Sequence, residues 1–406
     1  MKDSSNDLLN SSGESLPTDR QIIDLILERG VDTFSIVADS VLSSLDQYLQ
    51  DLASDGKVRR WVLPSERSSP GVAVGTWLAT GKLTPMMMQN SGFSHAMDSL
   101  RTVMLVHQIP GLVVTGWRGD DARLDQSEPH ILVGDLTDLD NQNTVGADHL
   151  FGHRHGENLL REVGRSLDDA TAGSLACLRI SPRGFNRSYP LRNLTPSRIK
   201  YHSPQAYASV VAAKGCQFAE VQSASLISRD DALTSIHERL APLDPFYIVA
   251  NGFNSRAMQA LRLTDQTFEN AGGMGSALAI AWAAAKSLPG QLFVAIDGDQ
   301  NATMNEMDKV LATDYPDNLY WFILNNGCGE SVGPSVSLPL PPWFYDLATV
   351  INTSSESPGS FNHPRINDSG LKFAPPEARR LAGEIGSLPA QAHLARAIIA
   401  RKWSQA

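Results

Sequence analysis

Asp299, Asn326 and Cys328 stand in a stretch, 291–333, whose residue types suit a hard cation bound together with phosphate oxygens. Mg²⁺ takes oxygen ligands and favours one or two carboxylate or carbonyl groups plus phosphate over a full protein cage. The Asp299 carboxylate, the Asn326 side-chain oxygen and the backbone carbonyl of Cys328 offer three such ligands. The surrounding pattern predicts how they are placed. Residues 292–296 (Leu-Phe-Val-Ala-Ile) form a continuous apolar run, as expected of a strand buried on both faces of a parallel sheet. Asp297-Gly298-Asp299 ends it. Met304, Met307, Val310 and Leu311 follow at helical spacing and predict a helix over 301–313; a second apolar run, 319–324, stops at Asn325-Asn326. Asp299 and Asn326 thus leave the carboxyl ends of neighbouring strands, with Gly298, Gln300 and Asn301 in the first turn. That edge is where open α/β sheets bind ligands, and the N–H groups of a helix starting near Asn301 would face a diphosphate there.

Glu66 follows a short apolar run at 61–63, and Gln89-Asn90-Ser91-Gly92 follows a strand-like run and opens a helix whose amides suit a carboxylate. From Arg20 onward extended and helical patterns alternate. Strands are expected at 33–37, 60–63, 84–88 and 111–115, with helices at 22–26, 41–52, 70–80 and 94–106. Such alternation predicts a parallel sheet with helices on both faces. Residues 186–205, rich in Arg, Pro, Ser and Asn, break the pattern and read as a linker. The architecture then repeats: helices at 206–213, 230–240, 276–285 and 391–402, strands at 217–221, 246–250, 292–296, 319–324 and 348–352. The fold class is α/β, with two similar doubly wound parallel-sheet domains at 20–185 and 206–406.

A chain of 406 residues, 42% apolar and 19% charged, has ordinary globular composition and room for two to three domains. Its formal charge of −10 argues against nonspecific nucleic-acid or anionic-membrane binding, so an anion site must be local. No run approaches the roughly 18 apolar residues of a membrane span. Residues 1–19 lack the apolar core of a signal peptide and read as a disordered tail. Cys177, Cys216 and Cys328 are scattered without metal-ligand spacing, which suits a reducing cytoplasm.

The Gly-Asp pair ending at Asp299, followed 27 residues later by the second Asn of an Asn-Asn pair, resembles the metal-diphosphate motif of thiamine diphosphate enzymes. Gln300 stands where that motif usually has Gly. Pro64-Ser65-Glu66, Gly71-Val72-Ala73-Val74-Gly75, Ala79-Thr80-Gly81-Lys82, Met88-Gln89-Asn90-Ser91-Gly92 and Gly116-Trp117-Arg118-Gly119 occur in an order that resembles the pyrimidine-binding domain of phosphonopyruvate and sulfopyruvate decarboxylases. Val37-Ala38-Asp39-Ser40 and the strand and basic turn at 178–185 extend the likeness. Asn251-Gly252-Phe253-Asn254-Ser255-Arg256 is similar to the family's Gly-x-x-Ser-Arg turn.

The resemblance implies a thiamine diphosphate-binding fold, with a pyrimidine-binding domain followed by a diphosphate-binding domain. It implies that Glu66 holds a proton at N1′ of the aminopyrimidine, that the Gly272 carbonyl accepts from the 4′-amino group, and that Met274 wedges the cofactor into a bent shape. Gln89, Gly298, Gln300 and Asn301 would complete the cofactor site; Mg²⁺ would sit on Asp299, Asn326 and Cys328. Asp39, Ser40, Asn90, Ser91, Arg118 and Arg256 become the expected substrate contacts. The family's histidine after the Asn-Asn pair is absent, since the chain reads Gly327-Cys328-Gly329-Glu330, which leaves His95 and His130 as candidates for its role. Arg67 also departs from the family pattern. The expected reaction is decarboxylation of a 2-oxo acid with a second anionic group, foremost 3-phosphonopyruvate, in phosphonate and antibiotic biosynthesis. Sulfopyruvate, another 2-oxo acid or carboligation are alternatives within enzymes, and a non-catalytic cofactor-binding regulator is the alternative outside them. A homodimer or dimer of dimers, with active sites at subunit interfaces, is implied.

Overall fold

The computed structural model describes residues 15–119, 128–152, 158–191, 227–270, 272–327, 337, 339–354 and 388–403. They fall into two compact units: one of 1–73 and 81–197, the other of 74–80 and 198–406. The expected helix at 206–213 and strand at 217–221 lie outside the described residues.

In the first unit, β1 (Thr33–Ile36), β2 (Arg59–Val62), β3 (Met86–Gln89), β4 (Gly111–Gly116), β5 (Leu150–Phe151) and β6 (Leu175–Ile180) form one sheet in the order β2-β1-β3-β4-β6-β5. All of its pairings are parallel. A parallel sheet must be covered on both faces, and β1 and β4 are buried throughout. The connecting helices are α1 (Asp19–Glu28), α2 (Ser43–Ser54), α3 (Ser69–Thr80, of which 74–80 group with the other unit), α4 (Phe93–Ser99), α5 (Glu128–Val145) and α6 (Leu159–Thr171). Thr18 closes a capping box on Gln21 and so fixes the start of α1. Asp19, fully buried, accepts from the Ser188 hydroxyl at 2.9 Å and from the Tyr189 amide at 3.1 Å, so structure begins before the expected end of the tail. The helix expected over 94–106 is α4 running into a wider π turn, Leu100–Leu105.

In the second unit, β7 (Phe246–Val249), β8 (Thr267–Glu269), β9 (Phe293–Gly298), β10 (Leu319–Asn325) and β11 (Thr349–Asn352) form a second wholly parallel sheet, ordered β11-β10-β9-β7-β8. Its helices are α7 (Arg229–Leu240), α8 (Phe253–Leu261), α9 (Ala277–Ser287), α10 (Asp299–Thr303), α11 (Met307–Leu311), α12 (Phe344–Leu347) and α13 (Leu388–Trp403). The small residues of α9 let it lie buried along most of its length. The single helix expected over 301–313 is broken into α10 and α11. Asn305 breaks it: its Oδ1 accepts from the Met307 amide at 2.8 Å, as a capping side chain does, while its Nδ2 donates to the Gly275 carbonyl. The strands β9 and β10 are neighbours in register, Leu324 opposite Gly298, so Asp299 and Asn326 leave adjacent strand ends as the spacing requires.

Candidate active site

Because every strand of the first sheet runs the same way, the turns after β1, β2, β3 and β4 gather at one edge. Asp39 and Ser40 follow β1, Glu66 follows β2, Gln89 ends β3 with Asn90 and Ser91 after it, and Arg118 follows β4. The Glu66 side chain, 17% exposed, opens a short 3₁₀ turn capped by Ser65, whose hydroxyl accepts from the Arg67 amide at 3.3 Å. Its carboxylate reaches the turn into α4. At Gly92 a Cβ would stand 2.3 Å from Glu66 Oε1, so the missing side chain makes room for the acid. His95, 70% exposed, places Nδ1 3.3 Å from Glu66 Oε2.

A second cluster surrounds Asp39. Its side chain is 0% exposed, and the Leu42 amide donates to Oδ2 at 3.0 Å. Burial pushes the Asp39 carboxyl up, opposed by the Leu42 and Val41 amides and by the Arg118 and Arg187 guanidinium groups. Arg118 Nε lies 3.8 Å from Asp39 Oδ1, and both atoms are buried without a hydrogen-bond partner. Arg118 also donates to the Ser40 hydroxyl. The Asn90 side chain, fully buried, donates to the Arg118 carbonyl at 2.9 Å and accepts from its amide at 3.2 Å. Both ends of that amide are engaged with the Arg118 backbone, so Asn90 positions Arg118. Gln89 Nε2 donates to the Ser91 hydroxyl at 2.7 Å. Sequence reasoning missed Arg187, whose guanidinium stacks 5.7 Å from the Phe185 ring centroid and senses both Asp39 and Arg118. The basic turn after β6 was its only signal.

The second sheet gathers its own edge from β7 to β10. Asp299 is the first residue of α10 and is buried; Oδ1 accepts from the Gln300 amide at 2.9 Å, while Oδ2 is buried with no hydrogen-bond partner. Asn326 follows β10, and Cys328 lies outside the described residues. Gly298 ends β9. Gly272 is buried, and Met274 is 44% exposed on a turn between Gly273 and Gly275, both at positive φ. The Asn301 side chain accepts from the Gly275 amide through its oxygen and donates to Asn251 through its nitrogen. Arg256, in α8, stacks 5.3 Å over Phe253, and burial pushes its guanidinium down. His130 lies in α5, but its side chain is outside the described residues.

Two acids on this sheet, Asp297 buried and Glu269 half-buried, were not singled out in the sequence. Asp297, in β9, is pushed up to about 7 by burial, against a 2.9 Å hydrogen bond donated by the Trp321 indole. Glu269, at the end of β8, is pushed up to about 8 by burial, and its Oε2 has no hydrogen-bond partner. Asp297 directly follows the apolar run 292–296, which was its signal; Glu269 had none.

No family model matches the chain. The phosphonopyruvate decarboxylase of Streptomyces viridochromogenes is 26% identical over 310 residues, 75% of this chain and 72% of the relative. That of Streptomyces hygroscopicus is 28% identical over 309 residues, 75% of this chain and 71% of the relative. This chain resembles the phosphonopyruvate decarboxylases. The alpha subunit of sulfopyruvate decarboxylase from Methanococcus maripaludis is also similar, 32% identical over 95 residues, which are 23% of this chain and 54% of that subunit. A thiamine diphosphate-dependent 4-hydroxybenzoylformate decarboxylase of Rhodococcus jostii RHA1 superposes with a TM-score of 0.56 at 12% identity, covering 84% of this chain and 99% of its own. At that identity the match speaks for the fold, two parallel-sheet α/β domains of the thiamine diphosphate-binding type.

The residues fit the cofactor that this resemblance implies. Asp299 Oδ2 is an orphaned buried carboxylate oxygen at a strand end, a position that a cation would satisfy. Met274 presents an apolar side chain from a glycine turn, and Glu66 presents a carboxylate from the other sheet's edge. Among the described residues no three His, Cys, Asp or Glu side chains cluster as a cation site, so any cation would draw on amide, carbonyl or phosphate oxygens besides Asp299.

Proposed function

We propose that this protein is a Mg²⁺- and thiamine diphosphate-dependent decarboxylase of a 2-oxo acid bearing a second anionic group, with 3-phosphonopyruvate as its substrate and phosphonoacetaldehyde and CO₂ as products. The observation that carries the reading is the length of the similarity. A match of 310 residues is longer than either compact unit, so it draws on both.

When bound, thiamine diphosphate supplies a thiazolium that accepts the electron pair left by departing CO₂. Glu66 would hold a proton at N1′ of the aminopyrimidine, with His95 against its other oxygen to orient the carboxylate. Met274 would support the bent cofactor, and Asp299 with Asn326 would hold the cation. Arg118, fixed by Asp39, Ser40 and Asn90, would take the substrate's second anionic group, because a dianion calls for charge-assisted donors held in place. Asp39 serves this by holding the guanidinium. The proposal includes self-association into at least a dimer, with the Glu66 edge of one copy meeting the Asp299 edge of its partner, and a cytoplasmic setting. Among the described residues no helix is long and apolar enough to cross a membrane.

Sulfopyruvate is the second reading, favoured by the 32% identity to the sulfopyruvate decarboxylase alpha subunit. Release of CO₂ from phosphonopyruvate, sulfopyruvate, pyruvate and benzoylformate, measured side by side, separates these possibilities. Phosphonopyruvate is expected to give the highest kcat/KM; preference for sulfopyruvate would select the second reading, and silence toward all four would reject both.

A further inference from the structure

The turn that carries Met274 is fastened to the segment that begins at Asp299. The Gly275 amide donates to Asn301 Oδ1 at 2.9 Å, and the Gly275 carbonyl accepts from Asn305 Nδ2. Both backbone groups of the residue after Met274 therefore end on side chains of one short stretch. Asn301 uses its other end as well: Nδ2 donates to the Asn251 carbonyl at 3.2 Å and to Asn251 Oδ1 at 3.0 Å, in the turn between β7 and α8. One amide thus ties together the turns that follow β7, β8 and β9. A side chain at Gly275 could not substitute for this bonding, since its φ is +84° and a Cβ would lie 3.0 Å from the Asn305 amide nitrogen.

The bonding matters because Met274 is only partly packed. It is 44% exposed and flanked by two glycines at positive φ, and Met is the most adaptable of the apolar side chains. Its place must come largely from the backbone, which is fixed before Met274 by the Gly273 carbonyl accepting from Asn270 and Ser276, and after it by Asn301 and Asn305, the two that lead to the Asp299 segment. We propose that Asn301 is a positioning residue that sets Met274 relative to Asp299, so that the support for the cofactor's ring and the anchor for its diphosphate and cation are one body. This rests on the roles given to Met274 and Asp299 above.

The test uses the full chain and no substrate. Deuterium exchange at C2 of bound thiamine diphosphate, read by NMR after acid quench at saturating cofactor and Mg²⁺, reports how well the bent cofactor is held. Peptide-level hydrogen exchange across 270–276 in cofactor-free protein reports the turn itself. Asn301→Ala removes the Gly275 acceptor and is expected to slow C2 exchange ~10-fold, the effect of losing one buried hydrogen bond, and to speed exchange in the turn. Asn301→Gln keeps both an acceptor for the Gly275 amide and a donor for Asn251 and is expected to recover part of both; Asn301→Ser, a milder truncation, stands in if the alanine variant does not fold. Wild-type C2 exchange in Asn301→Ala or Asn301→Ser would overturn the inference alone. A wild-type protein that never accelerates C2 exchange would overturn the cofactor reading, and the inference with it.

Discussion

Glu66 and Arg118 divide the proposed work between a proton and an anion, and each can be removed without its neighbour. Glu66→Gln keeps the size and hydrogen-bonding reach of the side chain but not its ability to take a full negative charge. If Glu66 acts through N1′, kcat should fall at least ~100-fold, the lower range for losing a positioned acid–base group, while cofactor affinity measured by titration changes much less. A non-catalytic cofactor binder would show only the affinity change. Arg118→Gln should raise KM for phosphonopyruvate by ~10- to 100-fold, in keeping with a hydrogen bond to a charged group, and leave pyruvate turnover nearly unaltered. Equal losses on both substrates would place Arg118 outside the anion's reach. Residue type and spacing made Asp299 visible as a candidate, and the family resemblance added Glu66, Asp39 and Arg118. They could not show that Asn90 and Asn301 direct their amides to protein backbone, because an Asn before a helix has the same spelling whether it faces a ligand or a carbonyl.

At the scale of elements, the apolar runs located β1, β3, β4, β7, β9, β10 and β11, since strands buried on both faces announce themselves by composition. The helix break at Asn305 was not legible: Met304, Met307, Val310 and Leu311 keep helical spacing across it, and the cause is a bond to Gly275, 30 residues away in the chain. The same limit hid Glu269, whose significance comes from burial. Its folded-state carboxyl lies above the ordinary 4.5, at about 8, so the folded protein holds this proton more tightly than the unfolded chain. Its contribution to stability is full below about pH 4.5 and is lost as pH rises toward about 8. Glu269→Gln removes that loss. Thermal melts from pH 5 to pH 9 should show a gap in favour of Glu269→Gln that opens with rising pH; one pH unit of linkage is worth about 1.4 kcal/mol, or roughly 3 °C in a unit of this size. A gap constant with pH would mean that Glu269 is ionised in the folded protein throughout.

At the scale of the molecule, the alternation of strand and helix patterns was enough to expect two parallel-sheet domains, and both sheets are wholly parallel in the structure. Each collects its polar turns at the carboxyl edge for a topological reason, which is why residues as distant in sequence as Asp39 and Arg118 come together. The account depends on the second sheet's edge holding a cation and a diphosphate at Asp299. The most direct measurement is CO₂ release from phosphonopyruvate by the purified protein, stripped with a chelator and then given thiamine diphosphate and Mg²⁺ singly and together, with Asp299→Ala in parallel. The account predicts turnover only with both additions, and turnover lowered at least ~100-fold in the variant through loss of a metal ligand's charge. Turnover without either addition, or an Asp299→Ala protein that matches the wild type, would contradict it.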